Sequence, residues 1–122
     1  MMNTRQQQIG RLGENIAAQY LSEKGYTILA RNFRTPYGEI DMICHREHLL
    51  IFIEVKARTS RTFGYPEDSI NSSKQAHMRA SAEYYIGEHP ECSNDCEFDV
   101  ISVEITQNGK EQRIMHFENV IT

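Results

Sequence analysis

Two short apolar runs, separated by only three polar residues, constrain the fold of this chain more than any other feature. The runs are "EIDMICH" (residues 39–45) and "LLIFIEVKA" (residues 49–57), and "REH" lies between them. Each run has the length and apolar content of a strand, and so short a polar turn joins strands that are adjacent and antiparallel. The sequence therefore predicts a β-hairpin at the centre of the chain.

Patterns on both sides of this hairpin predict the remaining elements. Apolar residues recur at helical spacing before Gly25, and a second helical segment follows Ser72 or Ser73, either of which suits an N-cap. That second helix carries a stripe of Ala76, Ala80 and Tyr84. The predicted elements are, in order, a helix over 6–24, strands over 26–34, 39–45 and 49–57, a helix over 72–90, and strands over 97–105 and 113–121 around an Asn108-Gly109 turn. The order is α-β-β-β-α-β-β, and the first three strands are expected to form an antiparallel meander.

Length and composition indicate one ordinary globular domain over residues 1–122. The chain is 39% hydrophobic and 25% charged, as in typical folded proteins. Its longest uninterrupted apolar run, residues 49–53, is far shorter than the roughly 20 residues that span a bilayer. The N-terminus has no apolar segment of the secretory type. We therefore expect no membrane association and a cytoplasmic location.

Charge is distributed unevenly along the chain. The formal net charge is −4, which by itself argues against a sequence-independent nucleic-acid binder. Residues 1–79, however, hold 11 of the 13 Lys and Arg residues and only 8 of the 17 acidic residues. The first two thirds of the chain can therefore face phosphates while the last third repels them.

The hairpin carries acids and a lysine inside its apolar runs. Side chains alternate between the faces of a strand, so Glu54 and Lys56 share a face, as do Glu39 and Asp41 on the preceding strand. If the two strands pair, Asp41 and Glu54 converge. Two converging carboxylates repel each other, and burial makes the repulsion costly.

A divalent cation between Asp41 and Glu54 would remove this cost. Carboxylate oxygens suit Mg²⁺ or Mn²⁺, which bind through one or two carboxylates together with waters and substrate phosphates. Lys56 would then lie where it can orient an attacking water or take up its proton, which is the chemistry of phosphodiester hydrolysis. The alternative is that these residues form ordinary ion pairs at strand ends.

The first helix supplies a further candidate acid. Glu14 falls at the margin of the apolar stripe, and Gly10 one turn earlier leaves its carboxylate uncovered. Glu14 can therefore lean over the sheet, and a solvated helix glutamate is the alternative.

The loop after the third strand is expected to contact the substrate. Arg58, Arg61, Phe63 and Tyr65 directly follow the proposed catalytic strand, and Arg31 and Arg34 precede the hairpin. Arginine binds phosphates, and aromatic rings stack on bases. A surface loop with incidental aromatic residues is the alternative.

Histidine and cysteine spacing suggests no metal framework. His45, His48, His77 and His116 show no ligand spacing and are expected at the surface or in turns. Cys44 is expected as a small buried side chain. Cys92 and Cys96, with His89 nearby, are expected in a plain loop rather than in a zinc site.

The ordered set of motifs resembles a known family. "GRLGENIAAQYLSEKGYTILARNFR", "GEIDMI", "FIEVKAR", Lys74 and "FDVISV" are similar to the YraN-like family of uncharacterised proteins. That family belongs to the PD-(D/E)xK nuclease superfamily and is similar to archaeal Holliday junction resolvases. The resemblance implies an α/β fold of the restriction-endonuclease-like type, in which a mixed central sheet is flanked by helices.

The resemblance also implies roles for single residues. Asp41, Glu54 and the Val55 carbonyl would bind the metal, Lys56 would be the catalytic lysine, and Glu14 matches a first-helix glutamate of the resolvase-like branch. It further implies that Glu39 supports these ligands and that Lys74 contacts phosphate.

Three functions are compatible with the sequence. The first is a metal-dependent nuclease acting on DNA, including branched or otherwise structured DNA, for which a symmetric homodimer is expected. The second is a non-catalytic module that binds nucleic acid or protein and retains the nuclease scaffold. In the third, the acids and lysines of the strands form structural ion pairs and there is no site.

Overall fold

The computed structural model describes residues 4–59, 71–92, 95–106 and 112–121. Two helices and five strands follow the predicted order α-β-β-β-α-β-β. The helices are α1 (Arg5–Glu23) and α2 (Ser72–Glu88), and the strands are β1 (Thr27–Thr35), β2 (Gly38–Arg46), β3 (Leu49–Arg58), β4 (Cys96–Ile105) and β5 (Gln112–Phe117). The predicted α/β class, with a mixed sheet flanked by helices, is confirmed.

The strands form one sheet in the order β1-β2-β3-β4-β5. β1, β2 and β3 pair as the predicted antiparallel meander. β3 and β4 are parallel, because the chain between them crosses over through α2, and β5 returns antiparallel to β4. The sheet is therefore mixed, and the central strand β3 has β2 and β4 as neighbours.

The sheet divides the core into two clusters. On the α1 side, Ala17 and Leu21 of the helix pack with Ile51 and Ile53 of β3. On the α2 side, Met78, Ala82 and Tyr85 pack around Phe52. Alternation along β3 thus places Ile51 and Ile53 against one helix and Phe52 and Glu54 against the other, as the sequence predicted.

Helix α1 is fixed at both ends. Thr4 accepts a hydrogen bond from the Gln7 backbone N–H and donates its own N–H to the Gln7 side chain, which is a capping box. Gly25 follows the helix with a φ of 91°, a left-handed conformation that glycine tolerates. The predicted helix and its C-terminal stop are confirmed.

Helix α2 differs from the prediction in its cap and its buried face. Its N-cap is Asn71, whose side chain accepts the Lys74 backbone N–H at 2.8 Å, rather than Ser72 or Ser73. Its buried residues are Met78, Ser81, Ala82 and Tyr85, rather than Ala76, Ala80 and Tyr84. The predicted stripe is wrong because a polar residue, Ser81, belongs to the buried face, where its hydroxyl lies 2.9 Å from that of Thr35.

The end of the chain also differs from the prediction. β5 ends at Phe117, and the chain then turns at Asn119, which has a φ of 54°. The Val120 N–H donates to the Phe98 carbonyl, so this segment packs against β4 rather than continuing as strand.

The structure confirms the predicted environment of Cys44 and contradicts that of His116. Cys44 is fully buried, as expected. His116 was expected at the surface, but its side chain is only 10% exposed on β5 and hydrogen-bonds to Asp99. The prediction failed because β5 places His116 against β4, a pairing that residue spacing does not reveal.

Some predictions fall outside the described residues, namely the turn at Asn108-Gly109 and the loop residues Arg61, Phe63 and Tyr65. Neither helix of the described segments is long and apolar enough to cross a membrane.

Candidate active site

The candidate site lies where β2 separates from β3. Pairing between these strands runs from Arg46 opposite Leu49 to Met42 opposite Ile53. One residue earlier in β2, the Asp41 side chain takes the place of a backbone partner: its Oδ2 accepts the Val55 N–H at 2.8 Å. The end of the ladder therefore directs a carboxylate toward β3.

Glu54 on β3 is buried and ion-paired. It is only 8% exposed, and its Oε1 lies 2.6 Å from the Lys74 Nζ and 3.3 Å from the Lys56 Nζ. Lys56 comes from the same face of β3, whereas Lys74 comes from the first turn of α2. The structure thus brings a second lysine to the predicted Glu54–Lys56 pair.

Asp41 is held in an unfavourable electrostatic environment. Burial, followed by the negative charges of Glu54, Glu14 and Glu39, raises the pKa of its carboxyl to about 7, although the hydrogen bond from the Val55 N–H opposes the shift. The convergence of Asp41 with Glu54, predicted from strand alternation, is therefore present in the folded protein.

The pKa values of Lys56 and Lys74 are shifted in opposite directions. Burial lowers the pKa of Lys56, the nearby Lys74 ammonium lowers it as well, and Glu54 only partly compensates. Burial also acts to lower the pKa of Lys74, but its hydrogen bond to Glu54 and the charges of Glu54 and Asp41 outweigh burial and raise it. Lys56 is therefore the easier of the two to deprotonate.

Glu14 on α1 leans toward the sheet. Its side chain is 18% exposed and lies 4.0 Å from the guanidinium of Arg31, which also donates to the Asn15 side chain at 2.8 Å. Its charge contributes to the raised pKa of Asp41. The interpretation of Glu14 as a fully solvated helix residue does not describe this environment.

A pocket of about 540 Å³ opens over these residues. Asp41, Glu54 and Lys74 line it, together with Tyr37 and His77, which the sequence analysis did not select. Tyr37 belongs to the turn between β1 and β2, and the sequence predicts for His77 only a surface or turn position. The spacing of His77, three residues after Lys74 on one helix face, was the available signal for it.

Hydrogen bonds fix the rim of this pocket. The Tyr37 N–H donates to Thr35 Oγ1, and this hydroxyl also contacts the Gly38 carbonyl and the Ser81 side chain. The β1–β2 turn is thereby tied to α2, so the two sides of the pocket are connected.

The other predicted residues lie at different distances from the pocket. Glu39 lines it and pairs with Arg34 at 3.5 Å, and the Arg34 side chain is 88% exposed. Arg58 ends β3 and is half-buried. The roles expected for Arg31, Arg34, Arg58 and Lys74 in binding phosphate, and for the Val55 carbonyl in binding metal, stay predictions.

The carboxylates of Asp41 and Glu54 suit a hard divalent cation, but two lysine ammonium groups compete with it for Glu54. Asp41 and Glu54 offer carboxylate oxygens to one pocket, and their mutual repulsion raises the pKa of Asp41, which is a penalty that a cation removes. In this structure, however, Lys74 and Lys56 already neutralise Glu54. Within the described segments, the ligand atoms of Glu14, Asp41 and Glu54 do not all lie within 4.8 Å of one another. Both ammonium groups contact Oε1, so a bound metal either uses the second oxygen of Glu54 or displaces the Lys74 ammonium from the first.

Comparison with known proteins assigns the chain to a family. Residues 13–103 match the model of the uncharacterised protein family UPF0102. The chain belongs to the UPF0102 family. This match spans α1 from residue 13 onward, the whole meander, α2 and most of β4. It therefore includes every described residue of the candidate site and confirms the resemblance to the YraN-like proteins.

Curated members of UPF0102 match nearly the whole chain. The UPF0102 protein of Syntrophomonas wolfei is 40% identical over 112 residues, which cover 92% of this chain and 96% of that protein. The UPF0102 protein of Caldicellulosiruptor bescii is 46% identical over 106 residues, covering 84% and 86%, and that of Thermodesulfovibrio yellowstonii is 42% identical over 116 residues, covering 92% and 94%. The names of these relatives state the family and no activity.

Proposed function

We propose that this protein is a metal-dependent nuclease that hydrolyses phosphodiester bonds in DNA. The observation that carries the proposal is the pocket shared by Asp41 and Glu54, with Lys56 3.3 Å from Glu54. Burial and the Glu54 charge raise the pKa of Asp41 there. Two buried carboxylates and one lysine of lowered pKa supply a metal site and a proton acceptor in one place.

Asp41 and Glu54, with the Val55 carbonyl, would hold Mg²⁺ or Mn²⁺. The ion, when bound, polarises the phosphate and offsets the negative charge that develops in the transition state. Lys56 would orient the attacking water and accept its proton, because burial shifts the Lys56 amine toward its neutral form. Glu14 and Glu39 would strengthen the negative potential that retains the cation.

The chemistry of the surface favours a nucleic acid as the substrate. Lys74 lines the pocket, and Arg34, on the rim, extends an exposed guanidinium from the end of β1. Both are suited to phosphate contacts. The resolvase-like resemblance extends the proposal to branched DNA and to a symmetric dimer that cuts two strands.

One observation favours a second candidate, a binding module that retains the nuclease scaffold without catalysis. Lys74 lies closer to Glu54 than Lys56 does, at 2.6 Å, so the structure neutralises Glu54 without a metal. In such a module the pocket would remain closed to cations, and binding to a partner would survive EDTA.

The test is a cleavage assay on linear, flapped and four-way-junction DNA in Mg²⁺, Mn²⁺ or EDTA. Wild type is compared with Asp41→Asn and Lys56→Ala, and with Glu83→Gln as a charge-matched control on the exposed face of α2. We expect wild type and Glu83→Gln to cleave only with metal, and the two site variants to lose at least about 100-fold in rate, as is typical for a general base.

Two results would contradict the nuclease proposal. Equal cleavage by all four proteins would indicate a contaminating nuclease. Absence of cleavage on every substrate, combined with DNA binding that persists in EDTA and in Lys56→Ala, would establish the binding module instead.

A further inference from the structure

A second group of ligand-type side chains lies on the other face of the sheet. Asp99 of β4, His116 of β5 and Glu118 just after β5 each offer one ligand atom, and these atoms all lie within 4.8 Å of one another. Asp99 is fully buried, and its Oδ2 lies 2.7 Å from the His116 Nε2. Strand register explains the grouping, because His116 is opposite Ile101 and alternation puts Asp99 and Glu118 on the same face.

Each of these three side chains is oriented by an outer partner. The Asn119 N–H donates to Asp99 Oδ1 at 3.0 Å, and the Tyr20 hydroxyl lies 3.1 Å from the His116 Nδ1. The Tyr26 hydroxyl donates to Glu118 Oε1 at 3.5 Å. Metal-binding histidines and carboxylates in proteins are held in this way by hydrogen bonds to the atoms that do not contact the metal.

Acidic side chains are grouped around His116. Asp99 contacts its ring, Glu118 belongs to the same group, and Glu97 hydrogen-bonds to Asp99. Arg46 donates to the Tyr26 hydroxyl at 3.3 Å, and Tyr26 in turn contacts Glu118. A cation bound by this group would offset the negative charge of its carboxylates.

The outermost residue of the group borders a pocket. The pocket has a volume of about 320 Å³ and is lined by Glu118, Glu97 and Tyr26, whereas Asp99 and His116 lie behind its lining. The ligand chemistry also selects the ion: an imidazole nitrogen with two carboxylate oxygens suits zinc-like transition metals rather than Mg²⁺ or Ca²⁺.

We propose that Asp99, His116 and Glu118 bind a divalent cation of the zinc class, with solvent completing the coordination. This site lies on the α1 face of the sheet, whereas Glu54 faces α2, so it is separate from the candidate active site and does not depend on the proposed nuclease activity.

Only a small adjustment of the side chains is needed. Ligand atoms around a tetrahedral zinc ion lie about 3.3 Å apart, given bonds of about 2.0 Å. The His116 and Asp99 atoms must therefore move slightly apart, and the Glu118 carboxylate must approach. Glu118 is exposed, which permits this movement.

The experiment measures Zn²⁺ binding to the full chain by isothermal titration calorimetry. The background is Asp41→Asn/Glu54→Gln, which removes the carboxylate charges of the candidate active site. In this background we compare His116→Gln and Glu118→Gln with two controls, Cys92→Ser/Cys96→Ser for thiol binding and Glu104→Gln for loss of one charge on β4. Circular dichroism verifies that each variant is folded, and Glu118→Gln serves as the informative variant if His116→Gln does not fold.

We expect the background and both controls to bind one equivalent of Zn²⁺. His116→Gln and Glu118→Gln should each weaken binding at least tenfold. Absence of Zn²⁺ binding to the background would overturn the proposal. So would affinity unchanged by Glu118→Gln, or binding lost only in the cysteine variant.

Discussion

Asp41 and Glu54 line the same pocket but have different electrostatic partners. Glu54 is within 3.3 Å of two ammonium groups, whereas the hydrogen bond of Asp41 comes from a backbone N–H and the charges of three acids raise its pKa. The folded protein thus pairs the Glu54 carboxylate with cations and disfavours ionisation of Asp41. Removing the negative charge of Asp41 should consequently raise stability.

Asp41→Asn should stabilise the metal-free protein at alkaline pH. The pKa of Asp41 is raised from 3.8 to about 7, so wild type loses stability as pH rises through this interval, because the ionised carboxylate is disfavoured in the folded state. Asparagine keeps an oxygen acceptor for the Val55 N–H and has no charge. We expect the free energy of unfolding of the variant to exceed that of wild type by about 4 kcal/mol at pH 8, and by almost nothing at pH 4.

Urea denaturation in EDTA at several pH values measures this difference. Glu39→Gln is the matched control, since it removes a carboxylate at the pocket rim that is 40% exposed and paired with Arg34; it should change stability little. A difference between Asp41→Asn and wild type that does not depend on pH would contradict the prediction. If Asp41→Asn destabilises the protein at pH 8, Asp41 belongs to a structural ion pair.

Lys74→Met should lower stability without metal and raise affinity for Mn²⁺. The variant leaves Glu54 with Lys56 as its remaining ammonium at 3.3 Å, so the folded protein loses the closer ion pair. It also removes the ammonium that competes with a metal for Glu54. We expect about tenfold tighter Mn²⁺ binding, which corresponds to about 1.4 kcal/mol.

Calorimetric titration of Mn²⁺ and urea denaturation test both parts of this prediction. Arg113→Met on β5 removes one positive charge away from the pocket and serves as the control. Unchanged Mn²⁺ affinity in Lys74→Met would show that the ion pair with Glu54 does not compete with metal.

Residue patterns were sufficient to select part of this site. Alternation along β2 and β3 placed Asp41, Glu54 and Lys56 correctly, because a strand fixes which side chains share a face. The ion pair of Lys74 with Glu54 joins residues 20 positions apart. It depends on how α2 docks on the sheet, which local patterns do not determine.

At the scale of elements, α1 approaches β3 so closely that one glycine is required. A Cβ on Gly13 would overlap the Cβ of Ala57, whereas a Cβ on Gly10, one turn earlier, would meet nothing within 4 Å. Glu14 directly follows Gly13, so this contact also sets how close the Glu14 carboxylate comes to Asp41. The sequence analysis selected Gly10 as the uncovering glycine, but the close packing occurs at Gly13.

Gly13→Ala and Gly10→Ala should change stability in opposite directions. Gly13→Ala forces the helix from the sheet and should cost about 1–3 kcal/mol. Gly10→Ala removes backbone freedom from the unfolded chain at an open helix position and should stabilise by about 0.5–1 kcal/mol. Chemical denaturation of the two variants provides the measurement.

A double variant tests the cause of the Gly13→Ala effect. If the new methyl group meets Ala57, then Gly13→Ala/Ala57→Gly should be less destabilised than the sum of its two single variants. Strict additivity would place the strain elsewhere.

The sequence predicted which segments form helices and strands better than it predicted which face of α2 is buried. Helical spacing of apolar residues, Gly25 and the apolar runs predicted the two helices and five strands of the described residues, since these signals are local. The buried face of α2 was not evident because Ser81 is buried through a hydrogen bond with Thr35, so apolar spacing does not mark that face. The end of β5 was missed because "ENVI" reads as strand, although Val120 bonds back to β4.

At the scale of the whole molecule, sheet order separates two clusters of charged residues. The parallel crossover through α2 puts β4 beside β3, so Asp99 lies opposite Ile53 on the α1 face while Glu54, the next residue of β3, faces α2. The parallel pairing of β4 with β3 was beyond what the sequence patterns determined. For that reason the network around His116 was not expected, although each of its residues was visible in the sequence.

In the same arrangement, the two edge strands of the sheet, β1 and β5, are expected to differ in function. Arg34 is an exposed cation at the end of β1, beside the candidate active site, and Arg113 is an exposed cation near the start of β5, on the opposite edge strand. If DNA binds over the pocket, only the first of these arginines can reach its phosphates. The two residues thus form a matched pair for locating the nucleic-acid surface.

Arg34→Ala should weaken DNA binding, and Arg113→Ala should not. Binding is measured by fluorescence anisotropy at several salt concentrations, with Lys56→Ala as the common background so that the DNA stays intact. Loss of one phosphate contact should lower the affinity severalfold at low salt and reduce the slope of log K against log[salt] by about 1. Equal effects of the two substitutions would place the DNA elsewhere, and absence of binding in the background protein would contradict a nucleic-acid substrate. If the slope changes only with Arg34→Ala, DNA binds beside the pocket that holds Asp41 and Glu54. The positive charge of the first two thirds of the chain would then contribute to DNA binding at this pocket.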